Sequence, residues 1–366
     1  MTLRLATRGS ALASRQAETV RSALDRRRDP VELVTVETEG DRIRDELIHR
    51  LGRTGAFVRA LDERVLDGDV DAAVHSMKDM PTERPEALVV AGVPERAPAN
   101  DVLVTPDGGG VADLRDGATV GTSSLRRGAL LRRERPDLQV EPLRGNVDTR
   151  VEKLLAPGLQ RDHERLLAEA EGDDTPGAGG EGRVEDDEET AADEWFAERT
   201  ELERRALGRE VETAYDAIVL AEAGLARLDL LREVEYDRLD RAAFVPAPGQ
   251  GALAVVAREG GDVASRVHEG VDHPRTRVAT TVERTVLAEL GGGCVAPIGV
   301  SAHLQGEYVH VAAAVCSADG ERVVERTRDL PVEHHAEAAR DLAGEMADDG
   351  AADLIVEARE AAEEGE

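Results

Sequence analysis

Apolar and polar positions alternate along the chain with two different periods. Residues 3–7 (LRLAT) and 31–36 (VELVTV) are short aliphatic runs and predict strands. Between them, residues 11–28 follow helical spacing, with Ser10 placed to cap the first turn. Residues 40–56 are polar and contain glycine, which predicts a loop. Residues 57–67 put Phe57, Leu61 and Val65 on one helical face. Residues 71–75 (DAAVH) and 88–91 predict buried strands. This alternation predicts an α/β domain with a mainly parallel or mixed sheet. The two prolines of VPERAPAND, 93–101, predict a linker. A second α/β pattern follows, with strands at 102–105, 119–121, 139–143 and 215–220, and helices at 124–134 and 221–228. From Pro274 a third pattern begins. It has a helix at 275–290, a glycine loop, strands near 298–304, 308–316 and 322–327, and helices near 333–347 and 351–363.

One stretch breaks the pattern. Residues 156–210 hold 18 acidic and 7 basic residues, and five glycines fall between Gly172 and Gly182. That composition predicts a disordered or loosely held insertion in the second α/β unit. Its end is different: Trp195, Phe196, Leu202 and Ala206 have near-helical spacing and predict a piece that docks on the body.

Composition narrows the function. The 366 residues carry 46 Lys and Arg against 76 Asp and Glu, a formal charge of −30. That field opposes nucleic acids and anionic membranes. No apolar run reaches the roughly 18 residues of a spanning helix, and MTLRLATRGS lacks the apolar core of a signal peptide. Cys294 and Cys316 are too few for a disulfide framework in a chain of this size. The expectation is a cytoplasmic protein with free thiols. Only Lys78 and Lys153 are lysines; every other basic residue is arginine. Abundant Asp and Glu, little lysine and small core residues predict adaptation to a salt-rich cytoplasm; the bland alternative is a GC-rich genome.

Several familiar motifs fail on context. Neither lysine sits in a phosphate-binding GxxxxGK loop. GQGALA (249–254) fits GxGxxA, yet prolines precede it and a strand-like run follows, which is the wrong order for dinucleotide binding. The two cysteines have no histidine partners at zinc spacing, so metal catalysis has no support.

Three segments remain. HSMKDMP (75–81) ends a buried strand with Asp79, beside one of the two lysines. Strand ends in α/β folds are where catalytic groups sit; the competing reading is a surface Lys–Asp pair worth little. Arg8, Arg126, Arg127, Arg144 and Arg150 each lie at a strand end or in a first helical turn. Guanidinium groups grip carboxylates bidentately, and helix N-termini with Ser123, Ser124, Gly145 and Asn146 add backbone donors. Such a set, facing one cleft, would bind a polycarboxylate; the competing reading is that an arginine-rich chain simply displays them to solvent. GGGCVAP (291–297) displays the Cys294 thiol on a flexible turn, suited to reactivity or covalent attachment. The bland alternative is a small apolar loop residue. Cys316, in a strand-like run, reads as structural.

Seven segments in order resemble the porphobilinogen deaminase (hydroxymethylbilane synthase) family. They are LATRGSALASRQA, DAAVHSMKDMPTE, GTSSLRR, LRGNVDTR, YDAIVLAEAGLARL, PAPGQGALAV and ERTVLAELGGGCVAPIG. Together they span nearly all of the chain outside 156–210, and their common order is far more specific than any one of them. The resemblance implies an α/β fold of three domains. The first two are periplasmic-binding-protein-like around a cleft; the third is a smaller α+β domain carrying the cofactor cysteine. The implied boundaries are 1–95 plus 250–270, then 100–245 with the insertion, then 274–366.

The implied activity joins four porphobilinogens head to tail into hydroxymethylbilane, with loss of ammonia, in tetrapyrrole biosynthesis. It is primed by a dipyrromethane cofactor attached to Cys294. By the same resemblance Asp79 is the catalytic carboxylate at the pyrrole nitrogens. There it would stabilise the cationic azafulvene-like species left when ammonia departs. Lys78, Ser124, Arg126, Arg127, Arg144, Asn146 and Arg150 would hold the cofactor. Arg8, Ser10, Gln16, Arg53, Phe57 and Gln250 would hold substrate. Each porphobilinogen carries an acetate and a propionate, so five arginines are natural grips. In LGRTGAF, Thr54 replaces a common family lysine, with Arg53 beside it. The implied partner is the small-molecule substrate, bound by a monomer. The alternative is a two-lobed carboxylate-binding protein without chemistry; a redox-regulated thiol protein is a third class.

Overall fold

The computed structural model describes residues 2–27, 29–36, 56–172, 191–292 and 296–364. The first stretch holds β1 (Leu3–Arg8), α1 (Ala11–Leu24), β2 (Val31–Val36), α2 (Ala56–Asp67), β3 (Ala72–Ser76), a 3-10 turn (Met77–Asp79) and β4 (Leu88–Gly92). The chain then crosses to β5 (Asp101–Thr105), β6 (Thr119–Gly121), α3 (Leu125–Glu134), β7 (Gln139–Glu141) and α4 (Val147–Gly172). After α5 (Ala191–Ala197) and α6 (Glu201–Leu207) come β8 (Ala217–Ala221), α7 (Glu222–Arg227) and β9 (Glu235–Arg238). It crosses back to β10 (Leu253–Arg258) and α8 (Asp262–Val271). The last stretch is α9 (Pro274–Glu289), β11 (Ile298–Gln305), β12 (Tyr308–Cys316), β13 (Val323–Pro331), α10 (His335–Met346) and α11 (Ala352–Glu364).

Two five-stranded sheets share one design. Their orders are β2-β1-β3-β10-β4 and β7-β6-β8-β5-β9. In each, three parallel strands meet one antiparallel strand that arrives directly from the other sheet, β10 or β5. Two crossings therefore join the lobes, and the carboxyl ends of the parallel strands are where an open α/β sheet places its ligand. The third sheet, β11-β12-β13, is antiparallel. Helices α9, α10 and α11 pack on it through Val282, Val286, Leu342, Met346, Leu354 and Ile355.

Both faces of the first sheet are covered, which explains its continuous apolar runs. Leu3 and Leu5 pack against Ala17, Val20 and Leu24 of α1. Ala6 and Ala73 face Val58, Leu61 and Val65 of α2. The expected helical face of α2 is thus present at Leu61 and Val65; the Phe57 side chain lies outside the described residues. The predicted loop at 40–56 is outside them too, up to residue 55.

Several element boundaries differ from the sequence expectation. α1 stops at Leu24 rather than Arg28, because Asp25 turns the chain. Its N–H donates to Arg21 O, and its carboxylate accepts Val31 N–H at 2.8 Å. β7 is shorter than predicted and β13 longer. α4, α8 and β9 have no counterpart among the predicted elements. α4 also corrects the loose-insertion reading for residues 156–172, which are helical despite Pro157. Its charges are paired through space: buried Glu152 receives Arg205 and Arg209. Gln160 Nε2 donates to the carbonyls of Leu207 and Arg209. The Trp195 ring stacks on His163, 5.8 Å between centroids, with the Arg199 guanidinium over it. The expected docking of the segment's end is therefore present, on α4.

The crossings run close together. Gly251 has φ +81°, and a Cβ there would lie 2.4 Å from Ala97 O and 2.9 Å from Pro98 O. Gly251→Ala combines left-handed strain with a backbone clash between crossings. It should destabilise the fold by about 2–3 kcal/mol, read as a lower urea midpoint at unchanged m-value; an unshifted midpoint would contradict this packing.

Candidate active site

The first sheet brings two segments to the cleft. Ser10 caps α1, its Oγ accepting Ala13 N–H at 3.2 Å, just beyond Arg8 at the end of β1. Gln16, on the same helix, is buried. β3 runs into the 3-10 turn that carries Lys78 and Asp79. That turn is held from beneath, since Met77 N–H donates to Ala252 O at 3.0 Å. Gly249, at φ +75°, comes so close that a Cβ would sit 2.9 Å from Met77 Cγ. Asp79 is left exposed. Lys78 keeps part of its surface in solvent, yet enclosure by the cleft dominates its electrostatics. Burial pushes its ammonium below the ordinary lysine range; Asp79 opposes this, while Arg127 and Arg150 add to it.

The second sheet supplies the arginines, and two of them turn inward. Ser124 caps α3 by accepting Arg127 N–H, and Ser123 Oγ donates to Leu143 O at 2.5 Å. Arg126 Nη2 donates to Asp101 Oδ2 at 2.7 Å and Nη1 to Val245 O at 2.8 Å. Arg127 Nε donates to Asp101 Oδ1 at 2.9 Å and Nη1 to Val219 O at 3.1 Å. Gln250, 1% exposed, donates to Ala99 O at 2.7 Å and to Asp101 Oδ1 at 2.9 Å. These groups form a buried knot that ties both crossings to α3. Burial alone would raise the Asp101 carboxyl, but Arg126 and Arg127 hold it at about 2.

Arg144, Gly145, Asn146 and Arg150 form the turn from β7 into α4. Gly145 has φ +108°, and a Cβ there would strike Thr149. Arg150 Nε donates to Gly145 O at 2.8 Å. Burial, and then repulsion from Arg127, push Arg150 down to about 10, with Asp79 opposing. Asn146 is exposed and Arg144 half-buried at the rim. Lys78 thus feels Asp79, Arg127 and Arg150, and Arg150 feels Arg127 and Asp79, although these residues come from both lobes. Cys294 and Arg53 lie outside the described residues. Cys316 is a free, buried thiol packed against Leu130 and Leu131 of α3, and burial raises it to about 11.

The sequence reading missed Asp101, Arg96, Glu283 and Arg284. Glu283 is fully buried on α9. It receives Arg96 Nη1 at 2.7 Å from one crossing, Gly249 N–H at 2.7 Å from the other and Ala302 N–H at 2.7 Å from β11. The usable signal was a carboxylate at helical spacing among Ala279, Val282 and Val286, where a charge needs a partner.

The site's charge favours a polyanion. Lys78, Arg126, Arg127 and Arg150 stand against only Asp79 and Asp101, in a chain whose total charge is −30. Arg126 Nε is buried without a hydrogen-bond partner. Such a surplus fits the carboxylates of a dipyrromethane. Among the described residues no His, Cys, Asp and Glu cluster could hold a metal ion, and no helix is long and apolar enough to cross a membrane.

Fold and site together define a class: a two-lobed α/β protein with a cationic cleft for a polycarboxylate, joined to a third unit that leads into a glycine-flanked cysteine. The sequence profile of the porphobilinogen deaminase dipyromethane cofactor binding domain matches residues 3–170 and 199–266, and that of the C-terminal domain matches 278–348. A probable porphobilinogen deaminase of Halobacterium salinarum is 52% identical, over 98% of either chain. One of Methanococcoides burtonii is 36% identical, over 97% of this chain and 96% of that one. The structure of the methionine binding protein MetQ is 13% identical, covering 74% of this chain and 89% of that one. Its TM-score of 0.37 is too low to bear on the fold. The chain belongs to the porphobilinogen deaminase family. It is a transferase of tetrapyrrole biosynthesis that condenses four porphobilinogens into hydroxymethylbilane, releasing ammonia, with a dipyrromethane cofactor.

Proposed function

We propose that Asp79 is the catalytic carboxylate of this reaction and that Cys294 carries the cofactor. The observation that supports this most is the place of Asp79, exposed beside Lys78 in the 3-10 turn that follows β3, where Lys78 from one lobe and Arg150 from the other both feel its charge. When bound, the dipyrromethane supplies the pyrrole carbon onto which units are added. Lys78, Arg127 and Arg150 hold carboxylates at the cleft floor, with Ser124 and the α3 N-terminus beside them. Arg126 and Gln250 act from behind, keeping Arg127 in place through Asp101. Arg8, Ser10 and Gln16 bind on the substrate side, and Arg144 and Asn146, in the turn into α4, on the cofactor side. Arg53 and Phe57 belong to the segment that completes the substrate side. Asp79 faces the positive charge that develops on substrate as ammonia leaves, and moves a proton at the pyrrole nitrogen.

The same reading divides the chain at 1–95 plus 250–270, 100–245 and 274–366, following the three sheets. It makes the protein a cytoplasmic monomer.

Intact mass tests the anchor. The parent should exceed its sequence mass by one two-pyrrole unit, and Cys294→Ala should weigh its sequence mass and show no turnover. An added pyrrolic mass retained by Cys294→Ala would refute the assignment.

A further inference from the structure

Helix α9 does more than cover the third sheet. Near its start, Arg277 donates to the carbonyls of Val90 and Ala91 at the end of β4. In its middle, Glu283 holds both crossings. The next residue, Arg284, reaches the other way. Its Nη1 donates to Met77 O and Met80 O, each at 3.2 Å, and its Nη2 to Pro81 O at 2.6 Å. These carbonyls bracket Lys78 and Asp79 on both sides. A planar guanidinium can bridge several acceptors in a fixed geometry, which an ammonium cannot. Five residues beyond Arg284 the helix ends, and the chain turns through Gly291 and Gly292 toward Cys294.

We infer that Arg284 is a positioning residue that fixes the Asp79 turn from helix α9 by bridging the carbonyls on either side of it. This rests on the reading of Asp79 given above. Arg284 bonds the carbonyls of the turn, so its loss leaves the carboxylate chemically intact but misplaced. Displacement of a catalytic group by about 1 Å is enough to cost a large rate factor.

The test is a double-mutant cycle in the holoenzyme, with cofactor loading checked by intact mass. Arg284→Gln should lower kcat about tenfold or more, with KM little changed and the cofactor still attached. Arg284→Lys, which keeps the charge but not the fork, should recover part of the loss. In an Asp79→Asn background, Arg284→Gln should cost nothing further, because both act through one carboxylate. Full kcat in Arg284→Gln would overturn the inference. So would a loss confined to KM, a loss of cofactor loading that Arg284→Lys shares, or a loss that multiplies with that of Asp79→Asn. Parent-like turnover by Asp79→Asn alone would instead remove the Asp79 assignment on which the inference stands, whatever Arg284→Gln does.

Discussion

Asp79→Asn is expected to lower kcat by about a hundredfold to a thousandfold, while the protein still folds and carries its cofactor. Asparagine preserves the size of the side chain and removes only its charge. Asp79 is exposed at the tip of a turn whose backbone is held by Ala252 and Arg284, so little structure depends on its carboxylate. What it supplies is a single negative charge beside Lys78 and Arg150. In the ground state that charge is, if anything, unfavourable for an anionic substrate. Its value arises when ammonia departs and the ring becomes cationic. The variant should therefore show a fall in kcat with KM unchanged or lower, the signature of an interaction made only in the transition state. Steady-state rates of bilane formation, with intact mass confirming the attached pyrroles, check this. Undiminished turnover would refute the role.

Asp101→Asn should produce the largest loss of stability, about 3–5 kcal/mol. Asp101 is 1% exposed and is the carboxylate shared by Arg126 and Arg127. Its loss leaves two buried guanidinium groups facing each other without an anion. The parent and variant should also differ in acid. The folded-state carboxyl lies at about 2, below its ordinary 3.8, so folding favours the ionised form. The stabilisation is then complete above about pH 4 and disappears as the pH falls through about 2. Urea titrations should show the gap between parent and Asp101→Asn narrowing across that window. A gap independent of pH would show that the Arg126–Arg127–Asp101 knot is not held by charge.

The cleft was readable in part. Ser10 was recognisable as a cap, because capping is local and depends on one side chain within three residues of its partner N–H. Arg126 and Arg127 were recognisable as arginines of a helix start, but not as an inward-facing pair. Asp101, which turns them, lies 25 and 26 residues earlier. Arg284 was hidden for the same reason: its partners Met77 and Pro81 are more than 200 residues away. The stretch 156–172 misled because acidic composition measures what a segment carries, not what it meets. Gln160 finds the carbonyls of Leu207 and Arg209 across sequence gaps of 47 and 49 residues.

Most of the strands and helices and the seven motifs in series were determined by the sequence, because periodicity, capping and motif spacing are properties of neighbouring residues. The direction each arginine faces was decided only in three dimensions. So was the tying of both crossings to Glu283, and the grip of one helix on the turn that bears Asp79. Buried charge takes its partner by distance through space, and in a fold whose chain crosses twice between lobes that distance bears no relation to separation along the chain.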